Sequence, residues 1–378
     1  MNFDTIVSGG GPAGLSVGIR LARLGERVLL IERRGMPQEK CCGEFLHPSA
    51  VNELRILLKT ETSGTPIRRV LVSSGTTFHI FLLADEGLAL TRLELSAALL
   101  AAAESAKVRI LSNRTAEWVG MDERSVEIQA GTDRHIAKKL ILAEGSSSPN
   151  TRKIGVRRTA STKIYGFSTR MTAHLPNTVA LAAIRGGYAG LCDLGNGIVN
   201  MAGLLSDEAC RRLAPSKPNF PGRLLSEAPA WDAWVNSSLE EILFQAPVSC
   251  GEIRQTPDLP DRVFVVGDAA GMSETAFGDG IARSFRQARI LEESLMRHPE
   301  NLKSAAQHYL SRITDDAHRP NRFLLRLAGT LLRFPPAAAA CLRLASPLIG
   351  ALTRAATTAA QPMNDFQRNP ANALAGTT

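Results

Sequence analysis

The run Phe3-Asp4-Thr5-Ile6-Val7-Ser8-Gly9-Gly10-Gly11-Pro12-Ala13-Gly14 decides how the chain reads. Phe3 to Ser8 is a buried strand, and a helix from Pro12 to about Leu24 follows the glycines. Gly25 stops that helix, and Glu26 to Ile31 makes a second strand ending on Glu32. Strand, glycine turn, helix, strand and acid, in this order, form a dinucleotide-binding unit. Gly9 permits the tight turn, Gly11 lets backbone approach a pyrophosphate, and Gly14 lets helix and strand pack closely. Pro12 and Ala13 open the helix, whose free N–H groups and dipole favour negative charge. Glu32 falls where a carboxylate accepts hydrogen bonds from ribose hydroxyls, and Arg33 follows it.

The 378 residues suit two joined domains rather than one core. The net charge of +8 reads either as solvated surface or as attraction for anionic ligands and lipid surfaces. Aromatic residues make up only 5%, too few for the stacking platforms of a single-strand nucleic-acid binder, so no nucleic-acid partner is expected. The six cysteines show no metal-type spacing, and no metal is expected. The start, Met1-Asn2-Phe3-Asp4, lacks the layout of a secretory signal, so a reducing, cytoplasmic location is the expectation. Arg343 and Pro347 interrupt the best apolar run.

Along the chain, Lys40-Cys41-Cys42-Gly43-Glu44 lies in a polar loop, and Pro48 to Lys59 reads as a helix. Ile67 to Leu83 alternates as a hairpin about Gly75. Leu93 to Ser105 reads as a helix after Thr91-Arg92, with Thr91 as its N-cap and Glu94 completing a capping box. Short strands follow, and the last, His135 to Leu142, runs into Ala143-Glu144-Gly145. From Arg152 to Cys250 glycine-separated strands dominate, with helical pieces at Ser206 to Leu213 and Pro221 to Val235. An inserted antiparallel domain is the expectation there. Arg262 to Val266 returns to a parallel strand ending on Gly267-Asp268-Ala269-Ala270-Gly271, and Gly278-Asp279-Gly280-Ile281 opens a helix to about Met296. Helices are expected at Asn301 to Ala317, Arg322 to Arg333 and Ala337 to Thr353, then a disordered tail.

These motifs resemble the flavoprotein family that includes the para-hydroxybenzoate-hydroxylase-fold monooxygenases and the geranylgeranyl reductases. The resemblance runs from Phe3 to about Met296. It implies an α/β chain: a doubly wound FAD-binding domain (1–150 and 251–298) with an inserted antiparallel-sheet substrate domain (mainly 151–250, with a hairpin near 67–90); the C-terminal helices (299–358) and a tail (359–378) are read from the residues beyond it. In the family the first motif holds the ADP half of FAD. The aspartate matched by Asp268, after Gly267, contacts the ribityl chain and pyrophosphate. The turn matched by Gly278, Asp279, Gly280 and Ile281 meets the flavin ring. Arg92 stands where the family has a cofactor-facing arginine. Glu144 and Gly145 stand where it usually has Asp-Gly.

Cys42 and Gly43 resemble a reductase-side loop that reaches the flavin. Cys42 is either a thiol that shapes the cavity or protonates a carbon, or a small packed side chain. Tyr188 matches the first aromatic of the prenyl reductases' Tyr-x-Trp-x-Phe-Pro stretch, while Gly190, Cys192 and Asp193 depart from it. Tyr188 and Cys42 are thus the candidate catalytic residues. The implied activity is that of an FAD enzyme reduced by NAD(P)H. It acts on a hydrophobic or aromatic small molecule, as a hydroxylase or as a carbon–carbon reductase or oxidase. A flavin protein passing electrons to a quinone or protein partner is the alternative. Arg319, Arg322, Arg326 and Arg333 interleave with Phe323-Leu324-Leu325 and Leu331-Leu332. That segment either packs on the substrate domain, caps a substrate mouth, or lies on the inner face of a membrane.

Overall fold

The computed structural model describes residues 3–155, 162–215, 217, 219–232, 234–239, 243–250, 259–271, 276, 278–317 and 334–341. In chain order the elements are β1 (Phe3–Ser8), α1 (Pro12–Arg23), β2 (Val28–Ile31), β3 (Phe45–Leu46), α2 (Pro48–Leu58), β4 (Thr65–Ser74), β5 (Thr77–Ala89), α3 (Arg92–Ser105) and β6 (Arg109–Leu111). Next come β7 (Ala116–Met121), β8 (Val126–Ala130), β9 (Asp133–Leu142), α4 (Pro149–Lys153), β10 (Thr162–Ala173), β11 (Thr178–Ile184), β12 (Gly187–Asp193) and β13 (Ile198–Ser206). The remainder are α5 (Asp207–Leu213), α6 (Phe220–Leu225), β14 (Val235–Leu239), β15 (Leu243–Cys250), β16 (Val263–Val265), α7 (Asp279–Arg297) and α8 (Leu302–Ala317).

Among these residues the strands form two sheets. In the seven-stranded sheet β6, β2, β1, β9 and β16 run parallel, while β8 and β7 add antiparallel along the first half of β9. Both faces are covered, so β1 is apolar without alternation. Val7, Leu30 and Ile141 pack under α1 and α7, while Ile6, Leu29, Leu140 and Leu142 face the β7–β8 side. Fully burying each of these aliphatic side chains contributes about 1.5–3 kcal/mol. The carboxyl ends of β1, β2, β9 and β16 lead into Gly9, Glu32, Ala143 and Val266-Gly267, so the sequence motifs gather on one edge. That is where open α/β sheets bind ligands.

The nine-stranded sheet is ordered β14, β10, β13, β12, β11, β4, β5, β3, with β15 also on β10. Only the β11–β4 pairing is parallel. One face, with Phe167, Met201, Leu191 and Leu71, packs against α5, α6, Trp231 and Trp234. The other carries the alternate residues of the same strands.

Several boundaries differ from expectation. The second strand begins at Val28, because Glu26 turns away to hydrogen-bond Thr5 and Lys139. The hairpin is longer than its alternating core, and β5 continues to Ala89 to pair with β3, a strand not expected in the polar loop. Pro221 to Val235 is not one helix. Six residues of α6 end at Leu225, Pro229–Trp231 forms a separate turn, and β14 starts at Val235. Pro229 lacks an N–H and drives Ala228 out of helical geometry (φ −125°, ψ 54°). The capping box is as expected: Glu94 N–H donates to Thr91 Oγ1 at 3.1 Å, and Thr91 N–H to Glu94 Oε2 at 3.0 Å. Residues 335–341 are helical. The expected Arg322–Arg333 helix, most of Ala337–Thr353 and the tail lie outside the described residues.

Candidate functional site

The first turn is close-packed to the point of admitting glycine alone. A Cβ on Gly14 would sit 1.8 Å from the Gly9 carbonyl oxygen. One on Gly9, with φ +109°, would meet the Ala143 oxygen at 2.4 Å. Gly11 caps α1 without a side-chain partner, Pro12 follows it at the helix start, and nothing lies within 4 Å of where a Gly11 Cβ would be. The helix start therefore presents open amides. Glu32 is buried. Its Oε2 accepts the Gly10 N–H at 2.6 Å and its Oε1 the Arg34 N–H at 2.9 Å, while Arg33 is exposed. The acid thus sets the shape of the glycine turn, and each oxygen keeps a lone pair.

The second motif rests on the first. A Gly267 Cβ would meet the Ala13 Cβ at 2.8 Å. The Gly267 N–H donates to Gln287 Oε1 at 2.7 Å, and Arg283 donates to Asp268 at 3.4 Å and to the Gly271 carbonyl. The Gly145–Ser147 turn packs beside this one. Glu144 sits at the end of β9, where its carboxylate takes hydrogen bonds from Ser8 (2.6 Å), Ser148 (2.6 Å), the Asn150 N–H (3.2 Å) and the Asn150 side chain. Four donors make this carboxylate a knot between β1, β9 and α4.

At the other end, Gly278 caps α7, again with no side-chain cap, and a Cβ on it would press the Phe45 ring at 2.8 Å. The Cys42–Phe45 loop and the Gly278 turn are therefore in contact. The positions beyond the α-carbons of Gly43 and Gly280 are both open to 4 Å, and Ile281 packs partly into the core. Burial raises the Asp279 carboxyl above its ordinary range, with Arg286 (3.1 Å) and Arg283 opposing. Cys41 is hydrogen-bonded to Ser168, yet burial pushes its thiol up to about 11. Cys42 receives the Glu44 N–H on Sγ at 3.4 Å.

Arg92 is the strongest sign of a missing partner. It is only 8% exposed, and its guanidinium makes no hydrogen bond to a described residue. Burial lowers its pKa, against the pull of Cys42, Asp268 and Glu44. A buried guanidinium with unused donors fits an anionic or carbonyl-rich ligand. Open amides at the starts of α1 and α7, open space over Gly11, Gly43 and Gly280, and this guanidinium together fit an elongated dinucleotide such as FAD.

Tyr188 lies on the second face of the large sheet. It is 6% exposed and packs with Val72, Ala183, Leu204 and Ala276, two positions before Gly278. Cys192 is on the same face at the far end of β12, opposite Asn200, which is opposite Arg170 on β10. The face is thus apolar near the Gly278 turn and polar near the Cys42 loop. The structure brings Cys42 to Asn200 and Arg170, four residues along the strand from Tyr188. Sequence reasoning did not single out Glu44, Arg170 or Asn200. The signal available was Asn200 inside the otherwise largely apolar β13; β10 is too polar for Arg170 to stand out.

Residues 3–191 match the pyridine nucleotide-disulphide oxidoreductase family. The chain is similar to the menaquinone reductase of Mycobacterium tuberculosis, with 33% identity over 221 residues, 52% of this chain and 54% of that one. It thus spans about half the length of that relative. It is also 26% identical to digeranylgeranylglycerophospholipid reductase 1 of Methanopyrus kandleri over 335 residues, 83% of this chain and 86% of the other. Among solved structures, a geranylgeranyl bacteriochlorophyll reductase-like protein of Thermoplasma acidophilum superposes with a TM-score of 0.74 at 19% identity, covering 90% of each chain. The halogenase PltM, in complex with phloroglucinol and FAD, gives 0.71 at 17%, covering 99% of this chain and 85% of that one. At these identities the structural likenesses establish the fold.

Proposed function

The chain belongs to the pyridine nucleotide-disulphide oxidoreductase family, and from that premise we propose that it is an FAD-dependent, NAD(P)H-using reductase of a hydrophobic molecule of the quinone or isoprenoid class. One observation carries the choice of substrate class. The sheet face beside the Gly278 turn is apolar, built from Val72, Ala183, Tyr188 and Leu204. Similarity to a menaquinone reductase and to a digeranylgeranylglycerophospholipid reductase supports it.

Bound FAD would supply the two-electron chemistry between NAD(P)H and the acceptor. The chain's own residues bind, orient and shield. The amides of Gly11, Ala13 and Gly14 at the start of α1 would hold the pyrophosphate, with Glu32 at the ribose. Asp268 would accept from hydroxyls of the middle of the cofactor. Arg92 and the amides opening α7 would face the carbonyl-rich end, where they favour negative charge. Tyr188 and its apolar neighbours would exclude water from the acceptor. Cys42 is the candidate proton-bearing group beside it.

The test is turnover of NAD(P)H with a short-chain prenyl naphthoquinone, with and without oxygen. The expected result is equal turnover in both and a product that has gained hydrogen. Addition of two hydrogens to the side chain marks carbon–carbon reduction; a hydroquinone with the chain unchanged marks electron transfer to the ring. A product formed only with oxygen, one oxygen atom heavier, would contradict the reductase reading and establish hydroxylation. A lipid-borne acceptor also accords with docking of the basic Arg319–Arg333 segment on anionic bilayers. Absence of salt-sensitive liposome flotation would end that part of the proposal.

A further inference from the structure

Glu44 is a carboxylic acid only 3% exposed, held at φ 58°, a left-handed backbone that is strained for a residue with a Cβ. Its surroundings account for the strain. Glu44 Oε1 accepts the backbone N–H of Arg92 at 2.9 Å and the guanidinium of Arg170 at 2.8 Å. Its own N–H donates to Cys42 Sγ at 3.4 Å, and its carbonyl accepts the Leu90 N–H at 3.0 Å. Arg170 also donates to Asn200 Oδ1 at 2.7 Å, and Asn200 Nδ2 donates to the Cys42 carbonyl at 2.8 Å. The contacts close a ring: Cys42, Glu44, Arg170, Asn200 and back to Cys42. It joins the Cys42 loop and the start of α3 to the face of the large sheet that carries Cys192 and Tyr188.

Such a ring does not arise from stability alone. A buried ion pair recovers little more than its desolvation penalty, and apolar packing of the same volume usually does as well. Glu44 Oε2 is, moreover, buried with no hydrogen-bond partner. What a closed polar ring supplies is one geometry.

We propose that Glu44, Arg170 and Asn200 are positioning residues, a latch that ties the Cys42 loop and the start of α3 to the nine-stranded sheet and fixes the Cys42 thiol and the open face of Gly43 where cofactor and acceptor meet. The latch has two ties on Cys42, one to its sulfur from the Glu44 backbone N–H and one to its carbonyl from Asn200 Nδ2. Its place in catalysis rests on the functional reading above; its existence does not.

The experiment is pH-controlled alkylation of the full chain by iodoacetamide, with and without added FAD, read residue by residue by peptide mass spectrometry. Cys341, exposed and remote in the sequence, is the internal standard. In Asn200→Ala and Glu44→Ala, Cys42 is expected to react about tenfold faster than in the unaltered chain, the population change that follows loss of one good hydrogen bond. Glu44→Gln keeps an acceptor oxygen for Arg92 and Arg170, so it is expected to restore the rate to within about threefold. Asn200→Ala removes the tie to the Cys42 carbonyl and one acceptor of Arg170 but leaves Glu44 in place, so it carries the test if Glu44→Ala does not fold. A wild-type Cys42 rate in Asn200→Ala, or a Glu44→Gln rate as fast as Glu44→Ala, overturns the latch. Absence of FAD binding would end the functional reading and leave this contrast measurable on the flavin-free chain.

Discussion

The two ends of the site are built in opposite ways. Around Gly9 to Glu32 nearly every constraint is local and already satisfied. Gly14 presses on Gly9 and Gly10 donates to Glu32, while the strand ends at Ala143 and Gly267 close on the finished turn from later in the chain. Around Cys42 to Glu44 the constraints come from far along the chain, from Arg170 and Asn200, and Glu44 Oε2 is buried without a hydrogen-bond partner. The first end is a finished turn whose shape suits a fixed chemical handle. The second retains unused hydrogen-bonding capacity, as expected where a reacting ring and a variable acceptor must be accommodated.

Breaking that turn should have the largest effect. Gly14→Ala places a Cβ 1.8 Å from a carbonyl oxygen that cannot move without unseating β1. A loss of about 3 kcal/mol or more and a chain that no longer retains flavin are expected. Thermal melts and the visible absorbance of the purified protein measure both.

The second prediction separates the two ends by sign. Arg92 is buried without a side-chain hydrogen bond to a described residue, so the flavin-free protein should gain from losing it. Arg92→Met is expected to raise the melting temperature of flavin-free protein, by about 1–3 kcal/mol of stability, while weakening FAD binding at least tenfold. A flavin titration beside the melts checks the pair. Lower stability together with unchanged FAD affinity would show that the guanidinium serves the fold.

A smaller effect is expected at Glu32, whose role in the turn is shared with the surrounding backbone. Glu32→Gln keeps an acceptor for one amide but loses the charge on both, a loss of about 0.5–1 kcal/mol in FAD affinity. The midpoint of flavin release on dilution reads it.

The smallest distinguishes the adjacent thiols. Burial holds Cys41 at about 11, so it stays a thiol until the pH approaches that value. Its alkylation at pH 8 should be negligible, and a Cys41 reacting as fast as Cys341 would contradict the packing around Ser168.

How much of this was legible in the sequence follows the same division. The first turn could be read because its logic is short-range. A tight turn needs Gly9, a helix start needs its glycine and proline, and the capping box at Thr91 and Glu94 spans one turn. Asp268 and Gly278 were readable by resemblance, and the sheet order brings them to the same edge. The latch was not readable. Its members lie on separate strands, and strand register decides that Arg170, Asn200 and Cys192 share a face. Nor does the sequence distinguish a Glu144 saturated by Ser8, Ser148 and Asn150 from one open to a ligand. The helix expected from Pro221 to Val235 failed for a local reason, Pro229, that the pattern contained and periodicity outweighed.

The central claim is that the first motif grips the adenosine half of a cofactor whose reactive half lies at the Gly278 turn. Titration of the flavin-free protein with FAD and with FMN, followed by flavin fluorescence, tests this most directly. FMN lacks the adenosine half, so the account predicts binding weaker by about a thousandfold or more, roughly 4 kcal/mol. Equal affinity for FMN and FAD, or no binding of either, would contradict it.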